Sequence, residues 1–382
     1  MTTLSVVQYN TLADALCTGD DAGFTSLPPE KLAWCSRGEA LVRALRSSDA
    51  DVLCLQEVDH YYDTLLPALA ACGYAGCFRE DEWSSCRKLS RGLLRDGVAI
   101  FYKREKLELC GMHVPCTPRE AKDVPAVPGG DDDADDDDHH GATEDAGKCL
   151  IARFRVLPPR EMTHGDRWKE HTYATEEVVV ATVHLDSKKN EEGVAKRRRQ
   201  AAGVAREVRA FRDFSCSNPA TAAVVVAGDL NAKPDEPAVA IFKTSGGGGG
   251  GICGSNDDDT NTTASARVEK KAKTMSSTST SPPPLKMFSA YERASGSGSE
   301  PPFTTWKFRT GSYKPGEAKM TIDYVFVSEG CEVVEVGKLD DEDAIGPKGL
   351  PSEEHPSDHL MLRATVRLPP PPPGRSFPSV RL

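Results

Sequence analysis

The sequence predicts an α/β (α+β) sandwich interrupted by two loop insertions. Short apolar runs of strand length alternate with amphipathic segments of helical spacing over one continuous span of the 382 residues. Between them lie two stretches whose composition cannot pack into a core. At 38% hydrophobic, the remainder of the chain is able to bury a sizeable interior.

The strands are expected in this order. Leu4–Tyr9 opens the chain, followed by Val52–Leu55, Gly97–Tyr102, Cys149–Val156, Val178–Leu185, Ala223–Leu230, Met320–Val327 and Leu360–Leu368. Two helices fall between them. Lys31–Arg46 spaces Leu32, Leu41, Ala44 and Leu45 along one side, and Val194–Phe211 does so with Val194, Ala201, Val204, Ala205, Val208 and Phe211. The first insertion runs from about Pro118 to Gly147 and carries seven aspartates in Asp131–Asp138, where like charges at that density repel. The second, 244–284, holds Gly246–Gly251, Asp257–Asp259 and a Ser/Thr run ending in Pro282–Pro284. Residues 1–368 thus read as one domain, and 369–382 as a tail that opens with five prolines.

Charge and cysteine usage narrow the function. Lys plus Arg is 47 and Asp plus Glu is 58, for a net charge of -11. Without the aspartate run the balance is only -4. That disfavours a protein that coats long nucleic acid by bulk charge and leaves room for a local basic cleft. Twelve cysteines without a CxxC pair disfavour a zinc module or a disulfide scaffold. No apolar run approaches the ~18 residues of a membrane span, and strand-like sequence from Leu4 leaves no room for a leader. A cytoplasmic monomer with no membrane partner is expected.

Chemistry collects at strand ends. Leu4–Tyr9 ends in Asn10, Val52–Gln56 in Glu57, Val178–Val183 in His184, and Val224–Gly228 in Asp229 and Asn231. Polar groups after separate apolar strands converge on one rim of a sheet. Asp323 lies inside a strand pattern, where a carboxylate costs desolvation energy unless paired or metal-bound. Asp358-His359 precedes the last strand. Each residue alone is more simply a turn, a cap or a satisfied polar group. The set matches phosphate chemistry, which needs hard oxygen ligands for Mg²⁺, a base to orient water, and donors for oxygens that gain charge.

The blocks Leu53-Cys-Leu-Gln-Glu57-Val-Asp59, Thr182-Val-His184-Leu, Gly228-Asp229-Leu-Asn231, Ile322-Asp323-Tyr324 and Pro356-Ser-Asp358-His359 resemble, in order, the signatures of the endonuclease/exonuclease/phosphatase superfamily. Glu57-Val-Asp-His60-Tyr-Tyr-Asp63, Pro302-Phe-Thr-Thr-Trp306-Lys-Phe-Arg309 and Ile345-Gly-Pro-Lys-Gly-Leu-Pro351 are similar to its nocturnin and carbon-catabolite-repression deadenylase branch. The resemblance implies a DNase-I-like, four-layer αββα sandwich. It implies Mg²⁺ as cofactor, with Mn²⁺ able to substitute, held by Glu57 with Asn10 and Asp358. His184 and Asn231 would bind phosphoryl oxygens, Asp229 would orient or deprotonate water, and His359 would pair with Asp323. Whether Asp229 or His359 is the base stays open.

Two substrates follow from that resemblance: the 2′-phosphate of NADP(H), or the 3′ poly(A) end of RNA removed stepwise as AMP. Either presents an adenosine, for which Trp306 or Phe308 is the candidate stacking plane, the alternative for Trp306 being a place in the core. Nocturnin-like proteins carry basic residues where this chain has Asp81 and Asp186. Lys188, Arg309 and Arg79 keep basic character nearby. Lys196-Arg-Arg-Arg199 reads more simply as the solvated face of its helix than as a phosphate patch. No leucine-rich repeat for docking to a deadenylase complex is present. A non-catalytic scaffold is the remaining alternative, disfavoured because every expected catalytic position is filled.

Overall fold

Side-chain alternation along each strand decides which layer it meets. A computed structural model of the chain describes residues 2–18, 23–82, 84–89, 95–115, 146–158, 176–244, 285–310 and 315–370. One sheet takes the order β13-β14-β1-β2-β4-β3, from β1 (Thr3–Asn10), β2 (Val52–Val58), β3 (Tyr74–Glu80), β4 (Gly97–Lys103), β13 (Glu332–Val336) and β14 (Leu362–Arg367). The other takes the order β5-β6-β7-β8-β12-β9. Its strands are β5 (Leu107–His113), β6 (Lys148–Val156), β7 (Glu177–His184), β8 (Ala223–Asp229), β9 (Met287–Ser289) and β12 (Asp323–Ser328). β10 (Thr305–Arg309) and β11 (Gly316–Met320) form a separate antiparallel ribbon.

Leu4, Val6, Cys54, Ile100, Leu150, Phe154, Val180, Val225 and Val325 fill the layer between the sheets. The alternate residues Val7, Leu53 and Phe101 of the first sheet face outward onto Leu41 and Leu45 of helix Trp34–Ser48 and onto Tyr61, Leu65 and Leu69. On the far side Val179, Val224 and Phe326 meet Ala201, Val204 and Val208 of helix Glu191–Ser215, and Val239 and Phe242 of helix Pro237–Thr244. These are the four layers, helix-sheet-sheet-helix. Each fully buried Leu or Phe contributes about 1.5–3 kcal/mol, and emptying one such site, as in Leu41→Ala, costs about 2–5 kcal/mol. Among the described residues no helix is long and apolar enough to cross a membrane.

Three sequence expectations are corrected. Lys31–Arg46 is not one helix: Ala33 adopts an extended ψ of 142°, separating the turn Pro29–Leu32 from Trp34–Ser48. Met320–Val327 is not one strand, because Met320 ends β11 in the ribbon while Asp323 starts β12 in the sheet. The first insertion stops short of Gly147, since Ala146 is buried and the Gly147 carbonyl accepts from Arg79 Nη1 at 3.0 Å. Residues 118–145 and 245–284 of the expected insertions, and 371–382 of the tail, lie outside the described residues.

Candidate active site

At one end of the sandwich the inner-facing rows turn from apolar to polar. On β1, Leu4 and Val6 give way to Gln8 and Asn10; on β7, Val178 and Val180 give way to Thr182 and His184. On β8, Ala223, Val225 and Ala227 lead to Asp229, and antiparallel β12 begins with Asp323 ahead of Val325 and Val327. Register then aligns the polar ends: His184 pairs with Asp229, and Asp229 with Asp323, on three adjacent strands. The fit of β8 against β7 needs Gly228, because a Cβ there would lie 2.0 Å from the Val183 carbonyl oxygen.

Local backbone turns aim the remaining groups. The β2–β4 register shifts between Leu55 and Val58, and within that irregularity Glu57 takes φ +53°. An extra residue in a ladder bends the strand and re-aims a side chain. Leu12 and Asn231 also hold positive φ, at +55° and +51°. Non-glycine residues in this region are strained by about 1–3 kcal/mol each, and such strain gathers at functional sites.

A single amide joins the two central acids. Asn10 Nδ2 donates to Glu57 Oε1 and to Asp229 Oδ2, each at 3.0 Å, while its Oδ1 accepts from Leu12 N at 3.0 Å. His184 Nε2 lies 3.9 Å from Glu57 Oε1 and 3.7 Å from Asp229 Oδ2. Asp229 Oδ1 accepts from Asn231 N at 2.8 Å, and Asn231 Nδ2 donates to the Leu185 carbonyl at 3.1 Å. His359 sets Nδ1 2.9 Å from Asp323 Oδ2 and Nε2 3.8 Å from Asp229 Oδ2.

Electrostatics separate these groups. Burial would raise the Asp229 pKa, but the facing His359 and His184, with hydrogen bonds from Asn231 and Asn10, hold it below the usual carboxylate value. Asp323 goes the other way, raised by burial and by the charge of Asp229 against the pull of His359. Burial would lower His359, yet Asp323, Asp358 and Asp229 together push it up to about 9. The imidazole is therefore protonated at neutral pH.

The structure brings together Asn10, Glu57, His184, Asp229, Asn231, Asp323 and His359, and it places the other expected residues differently. Asp358 lines the same cavity as Glu57 and sets Oδ1 3.9 Å from His359 Nε2, outside the cluster of Glu57, His184 and Asp229. It pairs through Oδ2 with Lys307 and Arg309, cations that hold its pKa low. Asn10 supports the acids through its nitrogen, and its oxygen is taken by Leu12. Trp306 is turned away from the site because alternation on β10 sends Thr305, Lys307 and Arg309 to the cavity and Trp306 to the other face. There it packs with Phe303, Ile345, Leu350 and Leu360 and donates Nε1 to Glu317 at 2.8 Å. Phe308 shares that apolar cluster. Lys188 points outward to Glu192, and its neighbour Lys189 lines the cavity instead. Sequence reasoning missed Lys148 and Lys307, since Lys148 opens its strand rather than closing it and Lys307 lies inside the ribbon strand β10.

Glu57, His184, Asp229, Asn231, Asp358 and His359 share a cavity of about 670 Å³. Both unexpected acids line it, each beside a lysine: Asp81 lies 3.1 Å from Lys148, and Asp186 lies 2.8 Å from Lys196. The solvated-face reading of Lys196–Arg199 is therefore partly corrected. Arg198 and Arg199 are exposed, Lys196 lines the cavity, and Arg197 is buried against Glu236 at 2.6 Å.

The donor set suits a divalent cation. Ligand atoms of Glu57, His184 and Asp229 all lie within 4.8 Å of one another. No lysine or arginine pairs with either carboxylate among the described residues, while both share one amide. Two carboxylates and an imidazole in negatively charged surroundings of this kind suit a divalent metal ion.

The description Endonuclease/Exonuclease/phosphatase family matches residues 7–359. Nocturnin of Homo sapiens is 27% identical over 361 residues, covering 94% of this chain; the chain spans 64% of that protein's length. The human nocturnin catalytic domain with bound sulfate superposes at a TM-score of 0.58 and 23% identity, covering 96% of this chain and 93% of that one. ANGEL2, a 2′,3′-cyclic phosphatase in complex with adenosine-2′,3′-vanadate, superposes at 0.61 and 19% identity, covering 96% of each chain. The two superpositions bear on the fold, a DNase-I-like four-layer sandwich. The family match reaches from β1 to His359 and so takes in every strand end that carries the site; the chain belongs to the endonuclease/exonuclease/phosphatase family.

Proposed function

We propose that the chain is a Mg²⁺-dependent phosphoric ester hydrolase acting on an adenylate-containing nucleotide, with the 2′-phosphate of NADP(H) as leading substrate. One observation carries this reading: Glu57, His184 and Asp229 converge within 4.8 Å, with the His359–Asp323 pair against Asp229, in a single cavity. NADP(H) is the substrate that the nocturnin-like sequence blocks imply, similarity to nocturnin agrees with those blocks, and the adenosine-2′,3′-vanadate bound by ANGEL2 supports a ribose phosphate beside adenine.

Glu57, with His184 and Asp229 beside it, would hold the cation, which supplies Lewis-acid polarisation of a phosphoryl oxygen when bound. Asp229, kept ionised by its two histidines, orients water and accepts its proton. Asn231 and His184 hold phosphoryl oxygens. His359, protonated and steadied by Asp323, stabilises the charge that develops on them. Lys307 and Arg309 line the same cavity and attract the anionic substrate, while Lys196 balances Asp186 and Lys148 is shared between Asp81 and Asp96.

The test is an incubation with Mg²⁺ and either NADPH or a short oligo(A). The expected result is orthophosphate and NADH from the first. AMP released from oligo(A), with no orthophosphate from NADPH, would replace this reading with a 3′-to-5′ exoribonuclease. Absence of turnover with Mg²⁺ and Mn²⁺ on both would leave a binding scaffold.

A further inference from the structure

Beneath the floor of the site a line of side-chain hydrogen bonds crosses from one sheet to the other. Gln56 Nε2, on β2, donates to Thr182 Oγ1 on β7 at 3.0 Å and to the Cys54 carbonyl at 3.2 Å. Gln56 Oε1 accepts from Gln8 Nε2, on β1, at 2.8 Å. The same nitrogen of Gln8 donates its second hydrogen to Asp323 Oδ1, back in the other sheet on β12, at 2.9 Å. Asp323 Oδ2 is left for His359 Nδ1 at 2.9 Å and Thr304 Oγ1 at 2.6 Å. Gln8, Gln56 and Thr182 are each fully buried.

The direction of this line is fixed. The Thr182 hydroxyl donates to the Leu55 carbonyl at 3.4 Å, so its oxygen offers a lone pair to Gln56. Gln56 must then turn its nitrogen toward Thr182 and its oxygen toward Gln8. Facing that oxygen on one side and a carboxylate on the other, Gln8 can present only its NH₂ group. A flipped amide would set its oxygen against two others in a buried layer.

The arrangement has a cost: Gln8 Oε1 is buried without a hydrogen-bond partner. An apolar side chain of similar size would carry no such penalty, so the gain from the amide lies outside packing. We propose that Gln8 is a positioning residue for the hydrolytic centre, its amide locked by Gln56 and Thr182 so that it fixes the Asp323 carboxylate and, through it, the His359 ring. This role rests on the hydrolytic reading given above. Without the donor at Oδ1, the carboxylate is held through Oδ2 alone, and the aim of His359 Nε2 toward Asp229 loosens.

Gln8→Met is the closest apolar replacement. It is expected to lower kcat about tenfold to a hundredfold with KM nearly unchanged, the scale of one hydrogen bond to a charged group. The proton resonance of His359 Nδ1–H, assigned by its disappearance in His359→Gln, is expected to shift in Gln8→Met. Thr182→Val, which touches neither Asp323 nor His359, is expected to lower kcat in the same direction by less. Wild-type kcat and an unshifted resonance in Gln8→Met overturn the proposal, as does a loss confined to KM. Should Gln8→Met fail to fold, an unchanged kcat in Thr182→Val overturns it instead. The parallel His359→Gln assay separates the two levels. Full activity there overturns the role of His359 and with it that of Gln8, no turnover by wild type overturns the hydrolytic reading itself, and loss in His359→Gln beside a wild-type Gln8→Met overturns only the role of Gln8.

Discussion

His359 Nδ1 lies 2.9 Å from Asp323 Oδ2, and both residues are buried, at 2% and 1% exposure. Their elements reach the site separately: Asp323 begins β12, and His359 precedes β14, tied down by Leu360 N donating to the Thr304 carbonyl at 2.7 Å. Asp323→Asn removes the charge while keeping the shape. It is expected to lower kcat by about a hundredfold to ten-thousandfold, the range of general acid–base and electrostatic assistance. Steady-state kinetics with an unchanged circular dichroism spectrum check this.

The same pair predicts a pH dependence with a definite sign. The folded pKa of His359 is raised from 6.5 to about 9, because three facing carboxylates outweigh burial. Its stabilising contribution is therefore complete below the unfolded value of 6.5 and is lost as pH rises through about 9. Urea denaturation of wild type and His359→Gln should give a stability gap that narrows from neutral toward alkaline pH. A gap that widens contradicts the assignment.

Glu57 carries the clearest metal prediction. Its carboxylate accepts from Asn10 and from Ala13 N at 3.2 Å, which fixes its direction without neutralising it. Glu57→Ala is expected to weaken Mg²⁺ binding in calorimetry and to lower turnover by more than the roughly hundredfold loss of one transition-state donor.

Much of the site was legible because strand alternation has a period of two. A polar residue ending an apolar inner row, as with His184 after Val178 and Val180, marks the rim before any coordinates exist. Two features escaped that logic. The Asp358 side chain is decided by Lys307 and Arg309, some 50 residues earlier on a ribbon that no apolar run signals. Gln8 and Gln56 lie one step inside the rim, where a buried amide in a strand looks like an ordinary interruption of the pattern. β10 and β11 carry no apolar run either, since each face of the ribbon sets polar beside apolar side chains, as Trp306 beside Lys319 and Lys307 beside Ala318.

Trp306 should behave as a core residue. It is 6% exposed, its indole N–H is satisfied by Glu317, and Lys319 Nζ lies 4.5 Å from its ring centroid. Trp306→Ala is expected to cost about 3–5 kcal/mol of stability. Thermal denaturation would show a lowered Tm, and KM measured below the transition would stay near wild type. A large KM increase with unchanged Tm would return the residue to the substrate.

Lys196 tests the balance of charge at the cavity. Removing it leaves Asp186, 2.8 Å away, as an uncompensated acid facing an anionic substrate. Lys196→Ala is expected to raise KM about tenfold at low salt, with the difference shrinking as ionic strength rises. Asp186→Asn in the same background should restore KM.

Asp229 stands where all the lines of the site meet: the Asn10 amide, the Asn231 amide, His184 and His359. The most direct measurement is orthophosphate release from NADPH by wild type and by Asp229→Asn across a Mg²⁺ titration. The account predicts Mg²⁺-dependent release by wild type and a loss of at least about a hundredfold in the variant. Release by the variant at the wild-type rate, or by wild type without any divalent ion, would contradict it.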